Sequence, residues 1–131
     1  MIIYQNHLDG IGPEQLTGGF FKGWAEPLTP EQHMTILRNS AHVILAIDDE
    51  TGRVAGFINA LTDGVRFAFI PMVEVRDAYR LQGIGSQLMV RMLETLGRYG
   101  CIDLACDAEQ QPFYERFSMI RSFGMTLRDY L

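Results

Sequence analysis

The chain carries its clearest chemical signal in Val73-Glu74-Val75-Arg76-Asp77-Ala78-Tyr79-Arg80-Leu81-Gln82-Gly83-Ile84-Gly85-Ser86-Gln87-Leu88, where Arg80, Gly83 and Gly85 fit the spacing R-x-x-G-x-G. Glycines at the start of a helix let a ligand approach the backbone closely. The first-turn amides there have no helical acceptor, so they point toward an anion. Arg80 or Arg76 can add charge and hydrogen bonds, or Arg80 can brace the loop instead. The chemistry this arrangement supports is a phosphate cradle. The same residues also suit a purely structural strand-to-helix junction, and spacing alone leaves both readings open. No Lys-Ser or Lys-Thr follows the glycines, which removes the side chains a P-loop uses on nucleotide phosphates and Mg²⁺. The spacing is not G-x-G-x-x-G either, so a dinucleotide-binding unit fits poorly.

Other reactive side chains carry less. His7, His33 and His42 are scattered without a compact ligand spacing, and no metal site is expected. Cys101 and Cys106 fall in a predicted buried strand and point to opposite faces, so no disulfide between them is expected. No histidine near Cys106 in the sequence marks an activated thiol, and packing is its expected role.

The length is 131 residues, 47% of them apolar, which suits a single domain over residues 1–131 with one substantial core. A formal net charge of −5 opposes nonspecific attraction to nucleic acid or anionic lipid. No run approaches the roughly 18 apolar residues of a membrane span. The first ten residues, MIIYQNHLDG, lack the basic head and apolar stretch of a secretory leader, so the expected compartment is the cytosol.

The elements that must position the glycine turn can be read from periodicity and punctuation. Residues 1–5 predict a short strand, and 6–24 a short helix among glycine-rich turns. Thr29-Pro30-Glu31-Gln32 has the form of a capped helix start, with Met34 and Leu37 inward as far as about Asn39. His42 to Ile47 and Arg53 to Leu61, separated by Asp48-Asp49-Glu50-Thr51-Gly52, predict an antiparallel hairpin. Val65 to Val75 predicts a long strand in which Pro71, lacking an amide donor, requires an edge, a bulge or a splayed position. Ile84, Leu88, Met89, Met92, Leu93 and Leu96 form one helical stripe. Residues 101–106 predict a strand, 110–117 a short helix and 119–127 a final strand. The expected class is a mixed α/β sheet covered by helices.

The stretch VEVRDAYRLQGIG, with the preceding hairpin and long strand and the later PFYERFSMIRSFGM, resembles the GCN5-related N-acetyltransferase family over most of the chain. The resemblance implies a mostly antiparallel central sheet flanked by helices and a cleft for acetyl-CoA. It assigns contacts with the pantetheine arm of coenzyme A to Val73 and Val75. Contacts with the pyrophosphate fall to Arg80, Leu81, Gln82, Gly83, Ile84, Gly85 and Ser86. It also admits a homodimer.

Acetyl transfer from a thioester needs no metal, but the acceptor amine must be neutral to attack and the departing thiolate benefits from a proton donor. The resemblance matches Tyr114, in Pro112-Phe113-Tyr114-Glu115-Arg116-Phe117, to the position that protonates the sulfur; by itself the residue reads better as core packing with a satisfied hydroxyl. Glu74 is the acidic residue of the long strand closest to the turn. It is a candidate base or amine polariser, or else a solvent-facing strand residue. Because strand side chains alternate, Glu74 lies opposite Val73 and Val75, and a bulge or a water chain is required for it to reach the acceptor. Asn59 and Asp63 could line the acceptor side but read better as strand and turn residues, and Glu109 reads as a helix-start residue. Phe20, Phe21 and Trp24 supply apolar surface for the core or the mouth of the site. The chain departs from the family where many members have Gly-Phe after the tyrosine helix, since it reads Phe117-Ser118-Met119. It also has Asp107-Ala108-Glu109-Gln110 where an asparagine is frequent. The expected function is acetyl transfer to a primary amine, a small molecule first and a protein or peptide second. A module that binds acyl-CoA without turnover is the non-enzymatic alternative.

Overall fold

A computed structural model describes residues 1–129. The β-branched and apolar runs form a five-stranded sheet in chain order: β1 (Ile2–Gln5), β2 (His42–Asp48), β3 (Val54–Thr62), β4 (Phe67–Val75) and β5 (Cys101–Asp103). The first four strands are antiparallel, and β5 pairs with β4 in parallel. This is a mixed, mostly antiparallel sheet with helices on its faces. One face carries α1 (Pro30–Asn39), whose start is fixed by Thr29 accepting from the Gln32 amide while Gln32 accepts in return from the Thr29 amide. The other face carries α2 (Ile84–Thr95), and a last short helix, α3 (Gln111–Glu115), follows β5. Three 3-10 turns, at Pro13–Leu16, Asp77–Tyr79 and Ala108–Gln110, complete the regular structure of the described residues.

Alternation along the strands divides the interior into two cores. Ile44, Ile58, Ala60, Ala68 and Ile70 pack under the α2 stripe of Ile84, Leu88, Met89, Met92 and Leu96. Val43, Leu45, Ile47, Val54 and Phe57 pack under Met34 and Leu37 of α1 with Leu16, Phe20 and Phe21. Gly56 permits the close approach of α2. A Cβ there would lie 3.0 Å from the Glu74 carbonyl oxygen and 3.2 Å from Ile84.

The second core contains His33, fully buried, with ring centroids 4.3 Å from Phe57, 4.9 Å from Phe21 and 5.4 Å from Phe20. Neither ring nitrogen has a hydrogen-bond partner. Burial, helped by the Arg76 charge, pushes its pKa down to about 4. Between pH 4 and the unfolded value near 6.5 the unfolded chain therefore binds the extra proton. Stability is complete above pH 6.5 and falls as pH drops toward 4, by about 3 kcal/mol in all. Urea midpoints across this window should show that slope, and His33→Leu should flatten it; an unchanged slope in the variant would contradict the assignment.

Three expectations need correction. The predicted strand over 101–106 ends at Asp103, and Cys106 lies outside it. The 110–117 helix divides into the 3-10 turn Ala108–Gln110 and the five-residue α3. The predicted strand over 119–127 does not form. Met119 packs against the first core, but among the described residues the segment joins no ladder, and a strand needs a neighbouring edge to pair with.

Candidate active site

The sheet opens between β4 and β5. Only Phe67, Ala68 and Phe69 of β4 pair with β5, so Ile70 to Val75 keep one edge free. Pro71 helps to produce this opening. Between Asn59 and Leu61 of β3 there is one residue, Ala60, whereas between their partners Met72 and Phe69 there are two, Ile70 and Pro71. The extra residue is a bulge that absorbs the missing proline amide. It also reverses the side-chain parity. Ala68 and Ile70 face α2, and so do Val73 and Val75, which sends Met72 and Glu74 to the opposite face. The Arg76 amide donates to the Ala55 carbonyl at 2.9 Å, toward β3. Alternation then turns the N–H and C=O groups of Val73 and Val75 outward, into the opening.

The R-x-x-G-x-G turn closes one end of this opening. Gly83 caps α2 with φ +77°, in the left-handed region that only glycine enters cheaply, and Leu81 beside it has φ +63°. The first helical bond of α2 runs from the Gln87 amide to the Gly83 carbonyl at 3.1 Å, which leaves the amides of Ile84, Gly85 and Ser86 without helical acceptors. Gly85 faces Phe113 and Val75, and a Cβ there would meet both at 3.7–3.8 Å. Gln82 and Leu81 are exposed on the turn. Arg80 Nε bonds Asp77 at 3.0 Å, and Asp77 also holds Lys22, so this carboxylate anchors two cations at the rim and is itself held below the usual carboxylate range, chiefly by Lys22. Arg116 Nη2 reaches Ser86 Oγ at 3.4 Å and brings a third cation beside the helix start. Arg76 does not belong to this group. It is buried on the other side of β4, with its guanidinium on the carbonyls of Val54, Thr17 and Gln15.

A cavity of about 650 Å³ runs from this turn into the opening, lined by Val73, Glu74, Val75, Arg80 and Gly85 together with Tyr114, Phe113, Trp24, Lys22, Gly23, Asp107 and Gln110. Glu74 and Tyr114, forty residues apart in sequence, therefore meet at one cleft. Glu74 Oε1 accepts from the Phe21 amide at 3.0 Å, and its buried Oε2 has no partner. Burial raises its pKa above the ordinary carboxylate value. Phe21 adopts φ +63°, a costly conformation for an aromatic residue, in the loop that presents this amide. Burial likewise raises the Tyr114 hydroxyl, with the neighbouring Cys106 a lesser contribution, so the phenol is protonated at neutral pH.

The remaining candidates lie elsewhere. Asn59 is buried under α1 and donates to Ser40 Oγ at 3.0 Å. Asp63 accepts the amides of Val65, Arg66 and Phe67 in its turn. Glu109 sits in the 3-10 turn before α3. Lys22 and Arg116, which sequence reasoning missed, carry no spacing signal, since each reaches the site from a loop or helix end whose direction depends on packing. Among the described residues no cluster of three or more His, Cys, Asp or Glu could hold a metal ion, and no helix is long and apolar enough to cross a membrane.

An antiparallel sheet that opens at its one parallel pair, beside a glycine-capped helix start, is the architecture of an acyl-CoA-dependent N-acyltransferase. The chain belongs to the acetyltransferase (GNAT) family, whose model matches residues 14–119. It is 46% identical to a candidate acetyltransferase from Deinococcus radiodurans R1, covering 98% of this chain and 89% of that one with a TM-score of 0.93. A GNAT family acetyltransferase from Streptococcus pneumoniae TIGR4 is 24% identical, with 98% of each chain covered and a TM-score of 0.79. The glucosamine-6-phosphate N-acetyltransferase of Arabidopsis thaliana shares the fold at 13% identity, covering 98% of this chain and 99% of that one with a TM-score of 0.72. No curated protein matches the sequence.

Proposed function

We propose that the protein transfers the acetyl group of acetyl-CoA to a primary amine, with a small molecule as the leading acceptor class. The observation that carries this reading is the meeting of Glu74 and Tyr114 in the cavity lined by the free edge of β4 and the start of α2. The residues present fit the cofactor. The outward backbone groups of Val73 and Val75 suit the amides of a pantetheine arm. The free amides of residues 84–86 suit a pyrophosphate, with Arg80 and Arg116 supplying positive charge.

Acetyl-CoA supplies an activated thioester carbonyl. Glu74, through its unpartnered Oε2 and one bridging water, takes a proton from the acceptor ammonium, and the neutral amine that remains attacks the thioester carbonyl. Backbone donors near Val75 stabilise charge developing on the carbonyl oxygen. Tyr114 holds its proton at neutral pH and delivers it to the departing sulfur. Trp24, 47% exposed at the cavity wall, offers a surface for an apolar part of the acceptor.

Calorimetry with acetyl-CoA, coenzyme A, ATP and NAD tests the cleft. Acetyl-CoA should bind in preference to the nucleotides, and Gly83→Val should weaken it about tenfold or more, because a β-branched residue cannot hold the left-handed cap. Absence of acetyl-CoA binding by folded protein would overturn the proposal. Binding without turnover across a panel of amines would point to a binding module instead.

A further inference from the structure

The hydrogen bond on Glu74 comes from a loop that has no regular structure of its own. Residues 17–28 join the 3-10 turn Pro13–Leu16 to α1, and Gly18, Gly19, Phe21 and Gly23 within them all have left-handed φ between +63° and +83°. Glycine enters that region freely, whereas Phe21 must be held in it. Three contacts hold it. The Phe21 ring is buried in the second core against His33 and Phe57, its amide donates to Glu74 Oε1 at 3.0 Å, and the next residue, Lys22, places its ammonium on the Asp77 carboxylate. With the side chain and the following residue both fixed, tetrahedral geometry at the Phe21 Cα fixes the amide nitrogen as well, at the place where it meets Glu74. Asp77 also holds Arg80 Nε at 3.0 Å, so this one carboxylate joins the glycine turn to the loop that contacts the candidate base.

We propose that the Lys22–Asp77 ion pair positions Glu74, by holding the 17–28 loop so that the Phe21 amide occupies Oε1 and Oε2 alone is left to take the acceptor's proton. Lys22 and Asp77 are thus positioning residues, and the inference rests on the proposed role of Glu74. The pair is poorly placed to serve stability. Both side chains are more than half exposed, and a pair of that kind contributes little to folding. Its effect is to select one loop conformation among several of similar energy. Without it Phe21 can relax to negative φ, which turns the amide away and leaves the carboxylate without its one hydrogen bond. That bond favours the charged carboxylate, so its loss raises the Glu74 pKa further. The other groups around Glu74 stay as they are. Arg80 lowers its pKa by less than the Phe21 bond does, Tyr114 and His33 are neutral at pH 7, Arg76 is engaged with three carbonyls, and Asp107 lines the same cavity.

Nuclear magnetic resonance of the isotope-labelled full chain tests this in the wild type, Lys22→Met and Lys22→Arg. Methionine keeps the length and apolar stem of lysine and removes the charge, and arginine restores the charge. In the wild type the Phe21 amide proton should titrate together with the Glu74 carboxyl carbon, because the two groups are bonded. In Lys22→Met the amide should exchange about tenfold faster or more, and the Glu74 titration should move up by about half a pH unit or more. Lys22→Arg should bring both back toward the wild type. Urea midpoints should stay the same in all three proteins, which separates positioning from general stability. In steady-state kinetics the acid limb of kcat should move up with the Glu74 titration. An unchanged Phe21 amide and Glu74 titration in Lys22→Met would overturn the proposal, and so would changes that Lys22→Arg fails to reverse. The amide readout needs no turnover, so this failure is distinct from failure of the functional reading, which a Glu74→Gln enzyme with wild-type kcat would show.

Discussion

Tyr114→Phe is expected to lower kcat for acetyl transfer by about 10²-fold or more, the usual contribution of a positioned general acid, while the KM for acetyl-CoA changes little. The ring of Tyr114 belongs to the packed cluster with Phe113, 5.0 Å between centroids, and phenylalanine preserves that contact. Only the hydroxyl is lost. Its pKa lies above the ordinary phenol value because it is buried, so the wild-type enzyme keeps the proton across the neutral range. On the acidic side, activity should fall as pH drops through a carboxylate pKa raised above the ordinary value, that of Glu74. Steady-state kinetics on the two proteins over a range of pH checks both limbs. A Tyr114→Phe enzyme with wild-type kcat would remove the tyrosine from the reaction.

Arg76→Ala should cost roughly 3–5 kcal/mol of folding stability, because one guanidinium satisfies three backbone carbonyls far apart in sequence. Nη1 bonds Thr17 O at 3.0 Å and Nη2 bonds Gln15 O at 3.1 Å, while Nε bonds Val54 O at 2.6 Å; the group also lies 4.3 Å from the Phe20 ring centroid. Burial holds the guanidinium pKa down to about 10, still charged at neutral pH. Gly19, at φ +81°, leaves room for it, since a Cβ there would stand 2.9 Å from Nη1. Arg76→Lys should restore little, because an ammonium cannot span the three acceptors as a planar fork does. Urea unfolding measures the loss, and a change below about 1 kcal/mol would refute the clamp. A second readout separates the clamp from general stability. The loop it holds also presents the Phe21 amide to Glu74, so a partly folded variant should show a higher KM for the amine than for acetyl-CoA.

The contrast between Arg76 and Arg80 shows how far sequence could reach. Both stand near the glycine turn, and both were candidates for the phosphate. The last residue of β4 precedes Arg76 directly, and side-chain direction there depends on where the bulge falls. The Pro71 signal predicted an irregularity without saying which residue would be extra, and that single residue decides whether Glu74 faces α2 or Phe21. The partner of Glu74 was equally hidden, because a backbone amide 53 residues away has no side-chain signature.

Local chemistry determined the rest. The capping box at Thr29, the hairpin, the α2 stripe and the glycine cap were legible because each is decided within about one turn or one strand by propensity, periodicity and allowed φ. The R-x-x-G-x-G turn was legible for the same reason, as residue types at short spacing, whereas Tyr114 was marked only by the family resemblance. The segment 119–127 shows the limit of that rule, for it predicted a strand, with a weak centre at Ser122 and Gly124, and produced none. A helix satisfies its own hydrogen bonds, but a strand needs an edge supplied from elsewhere. Tertiary structure alone decided which edges were filled, where β4 and β5 part, and that Glu74 and Tyr114 share one cavity.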